Sequence, residues 1–422
     1  MDELDCEVLV VGAGPAGVAA AATAAECGRD VLVVDDNRHP GGQIWRRSVA
    51  TGTPSIAERW LGRAQSAGAR FAFPLRIADA HDPTRLVAVG DDGPIALRCE
   101  QLVLALGASE RFLPFPGWTI PGVCGVGGLQ ALVKQGLAIR GQRVAIAGSG
   151  PLLLAVAASL REHGACVLGI FEQAPRSRVR RFGLGLLARP GKLAHGLGLL
   201  NRLRGVPRHH DAWPTRVEVR GSSLRATFRT THGERTLDVD WLAAGFGLVP
   251  NVDVAALLGC RIEDERVVVD EFTRTTIPDV FAVGETIGIA GVEAALSDGI
   301  TAGLACAGRD ADARRAARAR YRERRFGDAL ARTYALRDEL RALAAPDTVI
   351  CRCEDTPIAD LAHCADAREA KLLARCGMGP CQGRVCGPAL AFLRGWSRDS
   401  VRPPLVPLTF SELSALDEPP CR

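Results

Sequence analysis

A glycine-rich turn occurs twice in this chain, each time directly after an apolar run, and no other feature constrains the fold as strongly. Near the N-terminus, Glu7-Val-Leu-Val-Val11 is followed by Gly12-Ala-Gly14-Pro-Ala-Gly17 and an alanine-rich stretch. Strand, glycine turn and helix in this order are typical of a dinucleotide-binding unit, because the glycines allow a tight turn and close approach of the backbone to a pyrophosphate. The predicted fold class is therefore α/β with a Rossmann-like unit.

The first unit also carries acidic residues where such a site needs them. The apolar run Val31 to Val34 ends in Asp35 and Asp36, where a carboxylate can accept hydrogen bonds from ribose hydroxyls. A chance glycine turn is the alternative. The residues predicted to bind a nucleotide here are Gly12, Gly14, Pro15, Ala16, Gly17, Asp35 and Asp36.

The second turn lies in Arg143-Val-Ala-Ile-Ala-Gly148-Ser-Gly150-Pro-Leu-Leu153, and a further apolar run ends at Glu172. This internal repeat indicates a second unit inserted in the first, as in flavoproteins with two dinucleotide-binding domains. Gly148, Gly150 and Glu172 are its candidate binding residues, and Glu172 favours NAD over NADP because it can accept hydrogen bonds from a free ribose 2′-hydroxyl. Leu153 stands where a third glycine or alanine belongs, so a retained scaffold without nucleotide is the alternative.

After the insert, the segment Val280-Phe-Ala-Val-Gly284-Glu285 predicts a strand that ends in an acidic residue, with a helix expected from Val292 to Ala302. A carboxylate at this point can bond the ribityl chain of FAD, so Gly284 and Glu285 join the candidate cofactor residues. Glu285 is one methylene longer than the Asp that many flavoproteins have there.

Four cysteines near the C-terminus have the pattern of cluster ligands. Cys351 and Cys353 form a close pair in the sequence, and Cys381 and Cys386 form a second pair further along the chain. Four thiolates with this spacing suit a 2Fe-2S cluster. Zinc is the alternative, although zinc sites usually space their cysteines more widely than C-x-C. We treat Cys376 as a spare neighbour. The N-terminal residues have no signal-peptide pattern, so we expect a reducing, cytoplasmic location in which thiols serve as ligands rather than disulfides.

Composition and remaining motifs exclude several functions. The net charge of +4 is too small to suggest nucleic-acid binding, and no apolar run is long enough to span a membrane. No H-E-x-x-H or G-x-S-x-G element and no redox-active cysteine pair beside the flavin is present, so the catalytic residues are unknown. Between Arg176 and Arg208, nine Lys or Arg residues and no acid are interleaved with leucines. This segment is either a solvated basic face or, as we expect, a partner contact.

Over nearly its whole length the chain resembles FAD-dependent A or α subunits that carry a bacterioferritin-associated-ferredoxin-like 2Fe-2S domain. That family includes opine oxidase A subunits, a hydrogen cyanide synthase subunit, the α-subunits of dye-linked proline dehydrogenases and, more distantly, that of heterotetrameric sarcosine oxidase. The resemblance is greatest to α-subunits of D-hydroxyproline dehydrogenases. The matching stretches are Gly12 to Gly17, Gly41-Gly-Gln-Ile-Trp45, Leu104-Ala-Leu-Gly-Ala108, Phe115 to Gly122, Gly148 to Leu154, Gly245 to Asn251, Val283-Gly-Glu285, Cys351 to Cys386 and the tail from Asp399.

The resemblance implies FAD at the first unit, with Gly42, Gln43 and Ala108 among its binding residues, and a 2Fe-2S cluster near the C-terminus. It also implies that a separate DAO-like flavoprotein β-subunit oxidises an amine, with a small ferredoxin-like protein as a further partner. A self-sufficient NAD(P)H-dependent reductase and a non-catalytic electron-transfer scaffold are the alternatives. The expected domains are an FAD-binding domain in two parts (1–120 and 241–310), an inserted Rossmann domain (121–240), a helical linker (311–346), a 2Fe-2S domain (347–398) and a Pro-rich tail (399–422).

Overall fold

The computed structural model describes residues 2–45, 55–398 and 401–416 and contains two compact units. The first unit comprises the residues up to Ser109, the range Val249–Asp328 and the tail. Its sheet follows the order Arg70–Ala72, Val31–Val34, Asp2–Val11, Gly93–Leu104, Arg85–Gly90 and Arg76–Asp82, and Val280–Ala282 pairs with Gly93–Leu104. The strands from Arg70–Ala72 to Gly93–Leu104 in this order are parallel. Arg85–Gly90 pairs antiparallel with both of its neighbours, Gly93–Leu104 and Arg76–Asp82. This α/β architecture confirms the predicted fold class.

Helices flank this sheet, and small residues let two of them pack closely. A Cβ atom at Gly299 would lie 2.2 Å from the carbonyl oxygen of Ala16, and one at Gly303 would lie 2.6 Å from that of Ala20. The alanine-rich composition of Pro15–Glu26 therefore reflects burial against Val292–Cys306. The helices of the unit are Pro15–Glu26, Ile56–Ser66, Asp253–Leu257, Val292–Cys306, Asp310–Thr333, whose last turn belongs to the second unit, and Phe410–Leu416, with a 3-10 turn at Gly284–Ile287.

The second unit comprises Glu110–Leu248 and Ala329–Arg398. Its parallel sheet has the order Arg208–His210, Cys166–Glu172, Arg143–Gly148, Trp241–Gly245 and Val123–Cys124. An antiparallel sheet of Trp213–Arg220, Ser223–Thr230 and Gly233–Val239 accompanies it. Its helices before the cysteine-rich segment are Val126–Lys134, Leu152–Glu162, Arg176–Gly185 and Pro190–Arg202, with 3-10 turns at Leu186–Ala188 and Asp338–Ala342. Leu153 is 2% exposed and is part of the core of this unit.

The cysteine-rich segment forms a small helical subdomain within the second unit. Its elements are the strands Val349–Cys351 and Thr356–Pro357, the 3-10 turn Ile358–Leu361 and the helices Ala367–Ala374 and Cys386–Arg394. The indole nitrogen of Trp118 donates to the carbonyl of Val349 at 2.6 Å, and Arg111 donates to that of Pro388 at 2.9 Å. These hydrogen bonds join the subdomain to the rest of the unit.

The remaining short strands pair Ala108–Glu110 with Leu248–Pro250 and Ile262–Glu263 with Arg266–Val267. Part of the predicted Pro-rich tail packs on the first unit, since Leu405 is buried and its amide donates to the carbonyl of Ala78 at 2.7 Å. Asp399, Ser400 and the residues after 416 lie outside the described residues. In the described parts of the chain, no helix is both long enough and apolar enough to cross a membrane.

Candidate functional site

The first glycine turn has two glycines that the fold requires and one that faces open space. A Cβ atom at Gly12 would lie 2.2 Å from the carbonyl oxygen of Ala105, and one at Gly17 would lie 1.8 Å from that of Gly12. Gly12 also has a φ of +108°, which favours glycine. A Cβ atom at Gly14, by contrast, would meet nothing within 4 Å. The turn therefore presents bare backbone at the start of the helix Pro15–Glu26, where an anionic pyrophosphate is favoured.

Asp35 is fixed beside this turn, at the end of the strand Val31–Val34. Its carboxylate accepts hydrogen bonds from the amide of Ala13 at 2.6 Å and from that of Asn37 at 2.8 Å. The side chain of Asp36 is exposed and accepts a hydrogen bond from the Asn37 amide group at 2.8 Å. Of the two candidates, Asp35 is thus the one that the structure holds at the turn.

A second glycine segment lies against the first turn. Gly42 has a φ of +57°, and a Cβ atom there would lie 3.0 Å from the Cα of Gly14. The neighbouring amide of Gly41 donates to the carbonyl of Ala13 at 2.8 Å, while Gln43 is exposed. Gly14 and Gly42 together form a cradle without side chains. Ala108 is half-buried in the short strand Ala108–Glu110, and its contact with FAD stays a prediction.

The loop after Val280–Ala282 approaches the same helix. A Cβ atom at Gly284 would lie 2.8 Å from the Cβ of Ala16, so the loop runs beside the start of Pro15–Glu26. Burial raises the pKa of Glu285, and nearby Arg324 opposes that rise. The hydroxyl of Thr286 is buried and has no hydrogen-bond partner among the described residues. An orphaned hydroxyl and a side-chain-free cradle fit a large polar ligand such as FAD.

An ion cluster that the sequence interpretation missed holds this loop. Asp298 is fully buried and pairs with Arg324 and with Arg320, whose Nε lies 2.9 Å from the carboxylate. Arg324 also donates to the carbonyls of Gly284 and Gly288, each at 2.6 Å. The signal in the sequence is an acidic residue within a helix of alanine and glycine, since such a charge is rarely buried without a partner.

In the second unit, the carboxylate of Glu172 is already hydrogen-bonded to backbone amides of the chain. Its carboxylate accepts from the amides of Gly150 and Ala174, each at 2.8 Å, and burial raises its pKa to about 7. Gly148 has a φ of +134°, and a Cβ atom there would lie 1.7 Å from the carbonyl oxygen of Gly245. The three predicted residues thus come together at the ends of neighbouring strands.

The cysteines of the small subdomain form a buried thiol group. The Sγ atoms of Cys351, Cys376 and Cys386 all lie within 4.8 Å of one another, and each residue is at most 2% exposed. Cys381 is half-buried and Cys353 exposed, and these two form a hydrogen-bonded pair. The structure therefore brings together two of the predicted ligands with Cys376, and pairs the other two with each other.

The backbone around the thiols suits thiolate ligands. Burial raises the pKa of Cys351, and the amide of Gly377 donates to its sulfur at 3.4 Å. The pKa of Cys386 is raised by its contact with Cys376 and by burial. A bound cationic centre would stabilise these thiols as thiolates, because thiolates are the form that metal ions bind. A sulfur-only donor set of this kind fits an iron-sulfur cluster or zinc.

Known proteins resemble this chain in sequence and in structure. The family model described as pyridine nucleotide-disulphide oxidoreductase matches residues 6–299. The A subunit of opine oxidase from Rhizobium meliloti is 32% identical, over 98% of this chain and 99% of that protein. The HcnB subunit of hydrogen cyanide synthase from Pseudomonas aeruginosa is 31% identical, over 97% of this chain and 98% of that protein.

Two solved structures share the fold. L-proline dehydrogenase from P. horikoshii matches with a TM-score of 0.65 at 18% identity, over 98% of this chain and 80% of that one. Thioredoxin reductase of T. acidophilum matches with a TM-score of 0.56 at 21% identity, over 73% of this chain and 99% of that one. These matches confirm the arrangement of two dinucleotide-binding units. By its family match and its full-length relatives, this chain belongs to the pyridine nucleotide-disulphide oxidoreductase family, as an FAD-dependent oxidoreductase related to HcnB and to the opine oxidase A subunits.

Proposed function

We propose that this chain is the FAD- and 2Fe-2S-containing subunit of a heteromeric amino-acid or amine dehydrogenase or oxidase. In this function it receives electrons from an amine-oxidising partner subunit, which we expect to be a DAO-like flavoprotein. The substrate classes we favour are an opine and D-hydroxyproline. All described cysteines are free thiols, which fits a reducing compartment such as the cytoplasm.

The observation that carries the proposal is the buried thiol group of Cys351, Cys376 and Cys386 in a chain that also has the FAD cradle. A flavin exchanges one or two electrons and a 2Fe-2S cluster exchanges one, so the two together would supply an electron relay. The chain's own contribution is to shield the sulfur ligands from water and to donate amide hydrogen bonds such as that from Gly377.

The division of labour rests on what the two sites lack. Before Cys351 the sequence contains no C-x-x-C or C-x4-C pair of cysteines, the spacing of a redox-active disulfide. Among the described histidines, His39 precedes Gly41 of the cradle loop and is exposed, whereas His209 and His210 lie in a strand of the second unit. Amine oxidation is therefore assigned to the partner.

The test is purification of the chain alone and together with a DAO-like flavoprotein, to be sought among the products of the neighbouring genes. We expect one FAD and two irons with two sulfides per chain, but little D-hydroxyproline or opine dehydrogenase activity with an artificial dye until the partner is added. Robust amine oxidation by the single chain would refute the subunit function. Stoichiometric zinc without iron would refute the relay.

A self-sufficient NAD(P)H-dependent reductase is the second candidate, and the second dinucleotide-binding unit is the observation that favours it. Anaerobic mixing with NADH or NADPH separates the two, because a reductase would bleach its flavin at catalytic rates. We expect slow bleaching or none. If neither NAD(P)H nor an amine with its partner reduces the protein, the scaffold alternative is favoured.

A further inference from the structure

The second dinucleotide-binding unit contains a segment of the chain where a nucleotide would be expected. In open parallel sheets, ligands bind outside the carboxyl ends of the strands at the point where the strand order reverses. In the second unit that point is the end of Arg143–Gly148, which lies between Cys166–Glu172 and Trp241–Gly245. Ser149 and Gln173 follow the first two of these strands directly and are 4% and 0% exposed.

Both side chains bind backbone carbonyls of residues far along the chain. The hydroxyl of Ser149 donates to the carbonyl of Tyr334 at 2.9 Å. The amide group of Gln173 donates to the hydroxyl of Ser149 at 2.8 Å and lies 3.3 Å from the carbonyls of both Tyr334 and Ala335. The donor groups of these two side chains are therefore already taken by the chain itself. The one atom left without a partner among the described residues, the buried amide oxygen of Gln173, is an acceptor and cannot donate a hydrogen bond to a pyrophosphate.

The segment is anchored on both sides of this contact. On one side, the ring of Tyr334 packs edge-on against that of Phe182, with centroids 6.0 Å apart. On the other side, the guanidinium of Arg337 lies 3.4 Å from the carboxylate of Asp211 and 4.9 Å from the ring of Trp213. Leu340 is fully buried in a core cluster with Trp213. A nucleotide could enter only if this stretch were lifted.

We infer that residues 334–335 occupy the second dinucleotide site and that this unit takes no nicotinamide nucleotide. The site instead binds the segment of the chain that leads into the cysteine-rich subdomain. A nucleotide could bind only to the small fraction of molecules in which the segment is displaced, and its apparent affinity is reduced in proportion to that fraction. This inference does not depend on the proposed function, since it concerns residues outside both the FAD cradle and the thiol group.

The experiment uses the full-length holoprotein and NADH itself as the probe. We expect no saturable binding of NADH by calorimetry up to about 1 mM. A variant with Arg337→Ala and Leu340→Ala weakens the anchor without changing the glycine turn. We expect it to bind NADH on the order of tenfold more tightly or better. Arg332→Ala, an exposed change just before the segment, is the matched control and should behave as the wild type does.

Three results would overturn the inference. One is micromolar NADH binding by the wild-type protein, and another is a folded, FAD-loaded double variant that still binds no NADH, because the glycine turn around Leu153 would then be the cause. If the double variant does not fold, hydrogen exchange on the wild type decides. Exchange of the amide of Tyr334, which donates to the carbonyl of Leu330 at 3.0 Å, should be slow and unchanged by NADH, and rapid exchange of this amide would be the third contrary result.

Discussion

At the scale of single residues, Gly14 separates a role in ligand binding from a role in folding. It has a φ of −74°, which any residue adopts, and an added Cβ atom would meet nothing within 4 Å. We expect Gly14→Val to fold normally but to lose bound FAD, because its side chain would fill the cradle next to Gly42. Flavin absorbance per chain and thermal unfolding of the apoprotein are the measurements.

Gly62→Val is the control for this change, since Gly62 lies in the helix Ile56–Ser66 and also faces open space. Because Val forms helix somewhat better than Gly, the change should leave stability unchanged or raise it by roughly a few tenths of a kcal/mol, with unchanged flavin content. A Gly14→Val protein with a full flavin spectrum would show that the nucleotide does not lie on this turn.

The cysteines pose the second question at this scale, namely which four thiols are ligands. We expect Cys381→Ser to abolish the paramagnetic signal of the reduced protein, and Cys364→Ser to preserve it. Cys364 is packed beside the buried thiols but is not one of the three grouped sulfurs. Iron, sulfide and the paramagnetic signal are measured on each variant.

Cys376→Ser is the decisive change, because the sulfur of Cys376 lies within 4.8 Å of those of Cys351 and Cys386. If Cys351, Cys353, Cys381 and Cys386 are the ligands, this variant keeps its iron and sulfide and changes only the reduction potential, which responds to groups near the sulfurs. Loss of iron and sulfide from Cys376→Ser would instead make Cys376 a ligand.

At the scale of elements, the buried Asp298 couples the helix Val292–Cys306 to Asp310–Thr333. Asp298→Asn leaves Arg320 and Arg324 without their counter-charge at side chains that are only 14% and 17% exposed. Breaking a buried pair in this way costs about 3–5 kcal/mol. We expect a lower unfolding temperature and weaker FAD retention, because Arg324 also holds the carbonyls of Gly284 and Gly288.

Asp312→Asn is a matched control, because Asp312 also pairs with two arginines, Arg309 and Arg315, but on an exposed part of a helix. Such surface pairs contribute about 1 kcal/mol or less. Equal destabilisation by the two substitutions would contradict the role given to Asp298.

The observed bounds of the strands and helices show which predictions a local sequence pattern can support. The strand Val31–Val34 has the predicted bounds, and the helix expected to end at Ala302 continues to Cys306. The first strand begins at Asp2 rather than Glu7. Its polar first residues pair with the strand Gly93–Leu104, where Asp2 lies opposite Ile95. Partners so distant in sequence leave no trace in the apolar pattern of the strand itself.

Long-range contacts explain what sequence patterns did not predict in the candidate sites. Glycine turns and strand-end carboxylates have local signatures, so the positions of Gly12, Gly14, Asp35 and Glu172 at the strand ends could be predicted, whereas their contacts with a nucleotide stay a prediction. The contact of Tyr334 with Ser149 has no such signature, because a backbone carbonyl can come from any residue. The place of Cys376 among the buried thiols likewise depends on how Ala367–Ala374 ends in the left-handed residue Arg375.

At the scale of the whole molecule, we expect the helices Arg176–Gly185 and Pro190–Arg202, with the turn Leu186–Ala188 between them, to provide the surface that binds the proposed partner. The apolar part of this surface is Leu184, Leu187 and Leu197, which are 69%, 68% and 56% exposed. No residue of Arg176–Gly185 is fully buried, so this helix gains little from the core of its own unit. Its neighbours include the exposed Arg178, Arg180 and Arg181, and no acid occurs between Arg176 and Arg208.

Exposed leucines surrounded by arginines favour a partner with an apolar centre and an acidic rim, which we assign to the amine-oxidising flavoprotein. We expect Leu184→Glu combined with Leu187→Glu to weaken binding of that partner by on the order of tenfold or more, while FAD and iron contents stay unchanged. Val219→Glu, at a site 61% exposed on the antiparallel sheet, is the control and should bind the partner normally.

Binding should also weaken as salt rises, because the arginines attract an acidic rim. Unchanged affinity in the double variant, measured by calorimetry with the purified partner, would place the interface elsewhere on the molecule.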